Sequence, residues 1–355
     1  MFSWSTLPPA LTAAELPKPD SPIPSPRAPR GVAGFRPGWL RQRPLLGIDI
    51  GTAAIKLVEL RRRRGSVNLH KIALVGTPAE ALSAGVLTNS IAAAGALREA
   101  LQTHRIRCRQ AALSVGGVKA RAQCEALPEE CCEPEEALRA YVERTALSQI
   151  ASDFEGATLD YQTVALPNGG PGTVLWASSG AAEVDWVRQA AALAGRVPAV
   201  VEPQACSLVN AYVFNHQPEA GDASLLLHAG ARWLTIALVR GGLPLYSRDV
   251  PLPQAGGADG APDAAAILGA LRPRLHEIAG RAAPAKIERL VLSGAARADQ
   301  AGEKIHRDTG LWVQQIEPFR RIAHSPSSRE GKLVREWGHL FSVAVGLALR
   351  GFEDL

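Results

Sequence analysis

The chain has 355 residues, 46% of them hydrophobic and 21% charged, which at roughly 100–200 residues per domain is room for about two domains and a sizeable core. A fibre and a wholly disordered chain are excluded. The formal charge of +5 is concentrated in residues 1–44, where Lys18, Arg27, Arg30, Arg36, Arg41 and Arg43 stand against Glu15 and Asp20, leaving only +1 for the body. A near-neutral body excludes a dedicated nucleic-acid binder, whose affinity rests on clustered phosphate contacts.

The first 44 residues hold ten of the 26 prolines, and missing N–H donors with a fixed φ rule out helix and sheet ladders there. They read as a Pro-rich, disordered leader and a passive extension. From Leu45 the pattern turns to strands: Leu45–Ile50, Ile55–Leu60 and Val67–Val75 predict an antiparallel meander. Ile91, Ala94, Leu97 and Leu101 follow at helical spacing behind Asn89-Ser90, which can cap. Strands are expected at Ala111–Val115 and Ala120–Leu127, a helix over Leu138–Ile150 behind Pro134, and a strand at Thr173–Ser178. Helices follow at Glu183–Ala194, stopped by Gly195, and at Gln204–Asn215.

The second half repeats the opening. Ser224–His228, Leu234–Arg240 and Leu243–Val250 predict three more strands joined by tight turns. Helix Asp263–Ile278, strand Arg289–Ser293, helix Arg297–Thr309, strand Leu311–Gln315 and helix Trp337–Arg350 complete the chain. Two halves of this kind point to a duplicated α/β protein.

A duplication of this kind builds a cleft. Asp49-Ile50-Gly51-Thr52 sits between two strands, with Lys56 on the second. Gly and Thr in such a turn let backbone N–H groups approach phosphates, and the acidic residue before it can hold a metal through water. A tight polar hairpin without a ligand explains the tetrapeptide equally well.

Gly47–Leu60 (GIDIGTAAIKLVEL) resembles the first phosphate loop of the actin-like ATPase superfamily, and more closely that of the PilM proteins of type IV pili, on the branch shared with FtsA. Ala151–Val164, Val174–Gly195, Val200–Tyr212, Leu290–Phe319 and Val343–Phe352 extend the resemblance from Leu45 to the C-terminus. It implies an α/β, duplicated actin-like (ribonuclease H-like) fold with an inserted 1C subdomain and a reduced 2B subdomain. The implied divisions are subdomain 1A over 45–108 and 167–215, subdomain 1C over 109–166, and subdomain 2A with a shortened 2B over 216–355. The reduction is read from the short span between Val250 and Leu290, which includes the Gly/Pro/Ala-rich segment from Pro253 to Asp263. The implied partner is a PilN-like inner-membrane protein, whose N-terminal cytoplasmic segment would bind between 1A and 1C by strand addition. Pilus assembly ATPases are a further implied partner. The implied location is cytoplasmic and peripheral at the inner membrane through that partner.

Carried over residue by residue, the resemblance places Asp49, Gly51, Thr52, Lys56, Glu202, Gly230, Thr235 and Gly294 in a nucleotide site, with Asp49 facing a metal and ATP with Mg²⁺ as the implied ligand. Glu202 and Ala205 match the segment whose acidic group orients water. The second phosphate loop departs from the family pattern: His228 stands where an Asp is expected, Arg232 and Trp233 crowd the turn, and Ser293-Gly294-Ala295 replaces a glycine pair. Losing a metal-directed carboxylate weakens both ion binding and the placement of attacking water, so nucleotide binding is expected to be weak or absent and hydrolysis more so.

Other features take plainer readings. Arg61–Arg64 is read as a solvated hairpin tip in preference to an anionic-lipid contact, and His228 as a strand-end histidine in preference to a metal ligand. Cys131-Cys132 read as small apolar residues, and Ser178-Ser179-Gly180 as a strand-to-helix link. The five cysteines include no CxxC pair, and no apolar run approaches the ~18–20 residues that cross a bilayer, which predicts a soluble protein of a reducing cytosol. Two function classes follow: a non-catalytic adaptor, or an ATP-binding switch or ATPase of the same machinery. A narrower alternative is the PilM-like component of a mannose-sensitive pilus or a type II secretion system.

Overall fold

The computed structural model describes residues 44–83, 86–128, 135–150, 156–164, 172–219, 221–253 and 261–352. The leader before Pro44, Cys131-Cys132 and most of the Gly/Pro/Ala-rich segment lie outside these residues.

The meander expected at the start forms β1 (Leu46–Ile50), β2 (Ala54–Arg63) and β3 (Ser66–Gly76), each antiparallel to the next. A short ladder, β4 (Leu82–Ser83) with β5 (Val86–Leu87), leads into α1 (Ser90–Thr103). Asn89 caps that helix, its side chain accepting from the amides of Ile91 and Ala92, which satisfies two of the donors a helix start leaves open. After α1 come β6 (Gln110–Val115), β7 (Arg121–Ala126), α2 (Glu135–Ile150), β8 (Ala157–Val164), β9 (Thr173–Gly180), α3 (Ala181–Leu193), β10 (Val197–Pro203) and α4 (Gln204–His216). Gly195 follows α3 at φ +75°, the left-handed turn that ends a helix.

The first five-stranded sheet has the order β10-β6-β1-β2-β3, with β6 and β10 running parallel to β1. The second half opens with β11 (Ala223–Ala229), β12 (Trp233–Arg240) and β13 (Leu243–Pro251). Then come α5 (Ala264–Leu271), α6 (Leu275–Ala282), β14 (Ile287–Gly294), α7 (Ala298–Thr309), β15 (Trp312–Gln315), α8 (Arg329–Trp337) and α9 (Ser342–Leu349). Its sheet has the order β13-β12-β11-β14-β15, with β14 and β15 parallel to their neighbours. The two sheets thus share one topology, a three-stranded meander followed by two parallel strands added beside its first. This is the duplicated α/β fold expected.

The lobes exchange helices. α4 follows the last strand of the first sheet but packs Leu208, Val209 and Tyr212 against Leu226, Ala237 and Val291 of the second. α9 comes at the end of the second half but packs Val343, Ala344 and Leu347 against the first sheet. The two helices cross so closely that a Cβ on Gly346 would overlap the carbonyl of Ser207. Burying both apolar faces in this way makes the lobes one cooperative unit.

A third sheet, order β7-β9-β8, is covered by α2, with Leu138, Val142 and Ile150 against Val174 and Trp176. β6 pairs within the first sheet and β9 within this small one. The small sheet also reaches the second lobe: Ala122 N donates to Ser247 Oγ at 2.7 Å, and Arg281 pairs with Glu125 at 2.8 Å.

Elsewhere the structure departs from expectation for local reasons. The helix predicted over Asp263–Ile278 breaks into α5 and α6 around Arg272–Arg274, because Pro273 has no N–H to donate. The closing helix begins earlier, as α8, and passes through a 3₁₀ turn at Gly338–Phe341 before α9.

Candidate functional site

The parallel strands β1, β6 and β10 end together at the face turned toward the second lobe, and the residues at those ends form a polar cluster. Asp49, next to last in β1, is 1% exposed. The antiparallel register sets Lys56 of β2 directly opposite it, and Lys56 Nζ lies 3.1 Å from Asp49 Oδ2. The other oxygen, Oδ1, accepts from Ser114 Oγ at 3.2 Å and from Gln204 Nε2 at 3.4 Å. A buried carboxylate needs this much: a counter-ion and hydrogen bonds on its remaining lone pairs.

Gly51 donates its amide to Ala54 O at 3.0 Å, and a Cβ there would sit 2.9 Å from Lys56 Nζ. The glycine therefore keeps the space that lets Lys56 reach Asp49. Thr52 is half-buried in the same turn.

Gln204, the first residue of α4, links the two lobes. Its Nε2 meets Asp49, while its Oε1 accepts from Thr235 Oγ1 of β12 at 3.2 Å. Thr235 lies in register with Asp249 of β13, and its hydroxyl also reaches that carboxylate. One hydroxyl proton thus stands between two acceptors. Asp249 Oδ2 accepts the backbone N–H of Gly117 from the first lobe at 2.8 Å. A Cβ on Gly116 would press to 3.0 Å from Asp249 Oδ2. Burial pushes the Asp249 carboxyl up to about 7, against the pull of Thr235, Gly117 and Arg121. Asp249 is the residue that the sequence reading did not pick out, a carboxylate brought to the cleft from β13.

The remaining predicted residues divide. Gly230 donates to Trp233 O at 2.8 Å and forms the β11–β12 turn, in which Arg232 and Trp233 are half-buried. Gly294 has φ +78°, and a Cβ there would strike the Ala229 carbonyl, a position open only to glycine. His228 is buried at the end of β11, its Nδ1 2.9 Å from Ser293 Oγ, which in turn donates to Ser342 Oγ at 2.8 Å. Burial lowers it to about 4, with Asp49 raising and Lys56 lowering it further, so the ring is neutral near pH 7 and faces the cluster without charge.

Glu202 points elsewhere. Its Oε1 accepts from Ser207 Oγ at 2.7 Å and its Oε2 lies 3.2 Å from Arg350 Nε, just beyond the end of α9. Burial raises its pKa, opposed by Arg350 and the Ser207 hydrogen bond. The pair fastens β10 to α9 and shares no contact with Asp49. Ala205 is buried among the apolar residues of α4.

Mg²⁺ in nucleotide sites is held by one or two carboxylates, its own waters and the phosphates. Here both oxygens of Asp49 are engaged by Lys56, Ser114 and Gln204, and among the described residues no three His, Cys, Asp or Glu side chains converge as metal ligands. The donor set is engaged within the protein itself. What it does is neutralise itself and join the lobes.

Comparison with known proteins places this architecture. The chain is similar, at 24% identity and a TM-score of 0.69 over 88% of its length and 99% of the other chain, to a solved structure of a PilM-PilN type IV pilus biogenesis complex. More distant are a Bacteroides thetaiotaomicron protein of actin-like ATPase fold and unknown function (11% identity, 82% and 96% covered, TM-score 0.44) and MreB 5 of Spiroplasma citri bound to AMPPNP (11%, 88% and 96%, 0.41). None of the curated proteins compared with the chain matches it. The family model for the type IV pilus assembly protein PilM matches residues 47–259. With that match over more than half its length, and with an actin-like fold, the chain belongs to the PilM family of type IV pilus assembly proteins.

Proposed function

We propose that this protein is an adaptor of a type IV pilus assembly machine that binds the N-terminal cytoplasmic segment of a PilN-like inner-membrane protein. The observation that carries the reading is the outer edge of β8, which has no strand beside it among the described residues. Along that edge Leu159 and Tyr161 are only half-buried. An unpaired row of N–H and C=O groups flanked by partly covered apolar side chains is a template for an added strand. The edge starts beside the first lobe, where Ala181 N of α3 donates to Gly156 O at 2.7 Å, so a bound segment would run along the junction of the small sheet and that lobe. The likeness to a PilM-PilN complex supports the choice of partner.

On this reading the small unit corresponds to subdomain 1C, the first sheet with its helices to 1A, and the second lobe to 2A with a shortened 2B. The protein sits in the cytoplasm and reaches the inner membrane through its partner. Among the described residues no helix is long and apolar enough to cross a membrane.

Asp249 favours one second reading, an ATP-binding switch, because it offers another carboxylate at the cleft. Calorimetry separates the two. Heat on titrating Mg-ATP that Asp49→Ala abolishes supports the switch; no heat with Mg-ATP, together with saturable binding of the PilN-like N-terminal peptide, supports the adaptor.

A further inference from the structure

The end of the first lobe opposite the polar cluster is almost wholly basic. β1, β6 and β10 begin there, and the β2–β3 turn hangs beside them, so the Arg61–Arg64 run shares that end with the segments preceding β6 and β10. Those segments carry Arg105, Arg107, Arg109 and Arg196, and the last turns of α1 add Arg98. Three strand spacings, about 14 Å, separate β2 from β10, so the charges form one field within about two Debye lengths. Against them stand Glu59, buried and paired with Arg61 at 2.9 Å, Glu99 on α1, and Glu330 and Glu336, which share a hollow with Arg105.

A cavity of about 580 Å³ opens in this end between α1 and α3, lined by Arg98, Arg105, Arg107 and Arg196 with no acidic residue. Two of these guanidinium groups are braced on backbone: Arg98 donates to Leu193 O at 2.6 Å, and Arg196 to Cys108 O at 2.9 Å. Arg196 Nε is buried with no hydrogen-bond partner. Arg63, Arg64, Arg105, Arg107 and Arg109 have no ion-pair partner among the described residues, and Arg64 and Arg105 hold left-handed backbone at φ +51° and +53°. The neighbouring hollow shares Arg105 and holds Lys71, Arg329 and Lys332 beside Glu330 and Glu336, with Lys71 paired to Glu330 at 3.7 Å.

We propose that this basic end docks on anionic phospholipid headgroups, with the arginine-lined cavity receiving a headgroup phosphate. Two features favour a lipid surface over a soluble anion or nucleic acid. Leu193 and Val197, 41% and 49% exposed, stand among the arginines, and an interface of lipid takes apolar side chains together with cations. The leader joins this end at Pro44, whose carbonyl lies 3.2 Å from Cys108 Sγ; being itself basic, it adds to the field and cannot neutralise it. The proposal takes Arg61–Arg64, read from the run alone as a solvated tip, as part of this larger basic face. The proposal is independent of the PilN-like partner.

The test is flotation of the full chain with vesicles of phosphatidylcholine containing roughly one-third phosphatidylglycerol, beside pure phosphatidylcholine. Binding to the anionic vesicles only, lost at high salt, is expected. The combination Arg63→Gln, Arg64→Asn, Arg105→Asn and Arg107→Gln should weaken it about tenfold or more, and Arg107→Gln alone, with an unchanged circular-dichroism spectrum, should give a smaller drop in the same direction. Replacing the six leader cations by Gln should leave most of the binding. No flotation, flotation indifferent to the face variants, or loss only with the leader variant would overturn the proposal. So would retention of inorganic phosphate without flotation, or tighter binding of duplex DNA than of vesicles.

Discussion

Asp249 and Gly117 belong to opposite lobes, and the 2.8 Å hydrogen bond from the Gly117 amide to Asp249 Oδ2 closes the cleft between them. Lys56, Asp49, Gln204 and Thr235 continue the same chain of contacts back into the first sheet. Side chains of both lobes thus bridge the cleft. The protein keeps the lobes together with groups that in a nucleotide site would be turned toward a ligand.

The raised Asp249 carboxyl has a defined pH signature. Its folded pKa of about 7 lies above its ordinary value, so between the two the folded state binds the extra proton. This contribution is present at acid pH and lost as pH rises through about 7. Asp249→Asn removes the cost of the buried anion, and the unfolding free energy should rise relative to the parent at pH 8, by an amount on the order of a few kcal/mol, and by clearly less at pH 5. The difference between the two proteins is the quantity to follow, because His228, lowered to about 4, gives the parent an opposite slope at more acid pH. A variant equally altered at both pH values would contradict the assignment.

Asp49→Ala leaves Lys56 facing a buried void without its counter-ion. Removing one partner of a buried pair typically costs about 3–5 kcal/mol. Asp49→Ala with Lys56→Met should recover much of that loss. Urea unfolding of the two variants measures it, and equal destabilisation by both would show that the ion pair is not what the site depends on.

Gly346→Ala and Gly269→Ala should part in sign. The first places a methyl on the Ser207 carbonyl at the α4–α9 crossing and is expected to prevent normal packing of the exchanged helices. The second adds a methyl to an exposed position in α5 with nothing within 4 Å, where Ala is better than Gly by roughly 0.5–1 kcal/mol. Calorimetric melting of both checks the pair.

Much of this was legible in the sequence. The strands β1–β3 and β11–β13 announce themselves because apolar runs are cut by Gly-containing turns, and Asn89 and Gly195 mark helix ends by chemistry that needs no tertiary context. β10 was hidden by Pro198 and Pro203, residues that normally demote a strand; it survives because it is the edge of its sheet, bulged after Pro198. β8 was visible only as part of a family-like segment, since its half-covered side chains mix polar and apolar types. In the cluster, Asp49 and Lys56 face each other through a hairpin register that can be counted along the chain. Asp249 reads locally as a polar residue between Arg248 and Val250, and only its register with Thr235 brings it to the cleft. Glu202 illustrates the reverse. Its position in the chain suggested a metal-side role, and its true neighbour, Arg350, comes from the far end of the sequence.

The central claim is that the open edge of β8 receives the cytoplasmic segment of a PilN-like membrane protein. Amide hydrogen exchange of the full chain, with and without the N-terminal peptide of a PilN-like protein, tests this most directly. The account predicts new protection along Ala157–Val164 and the adjoining start of α3, with β13 and β15 unchanged; peptide binding that leaves β8 as exchangeable as before, or that protects the second lobe instead, would contradict it.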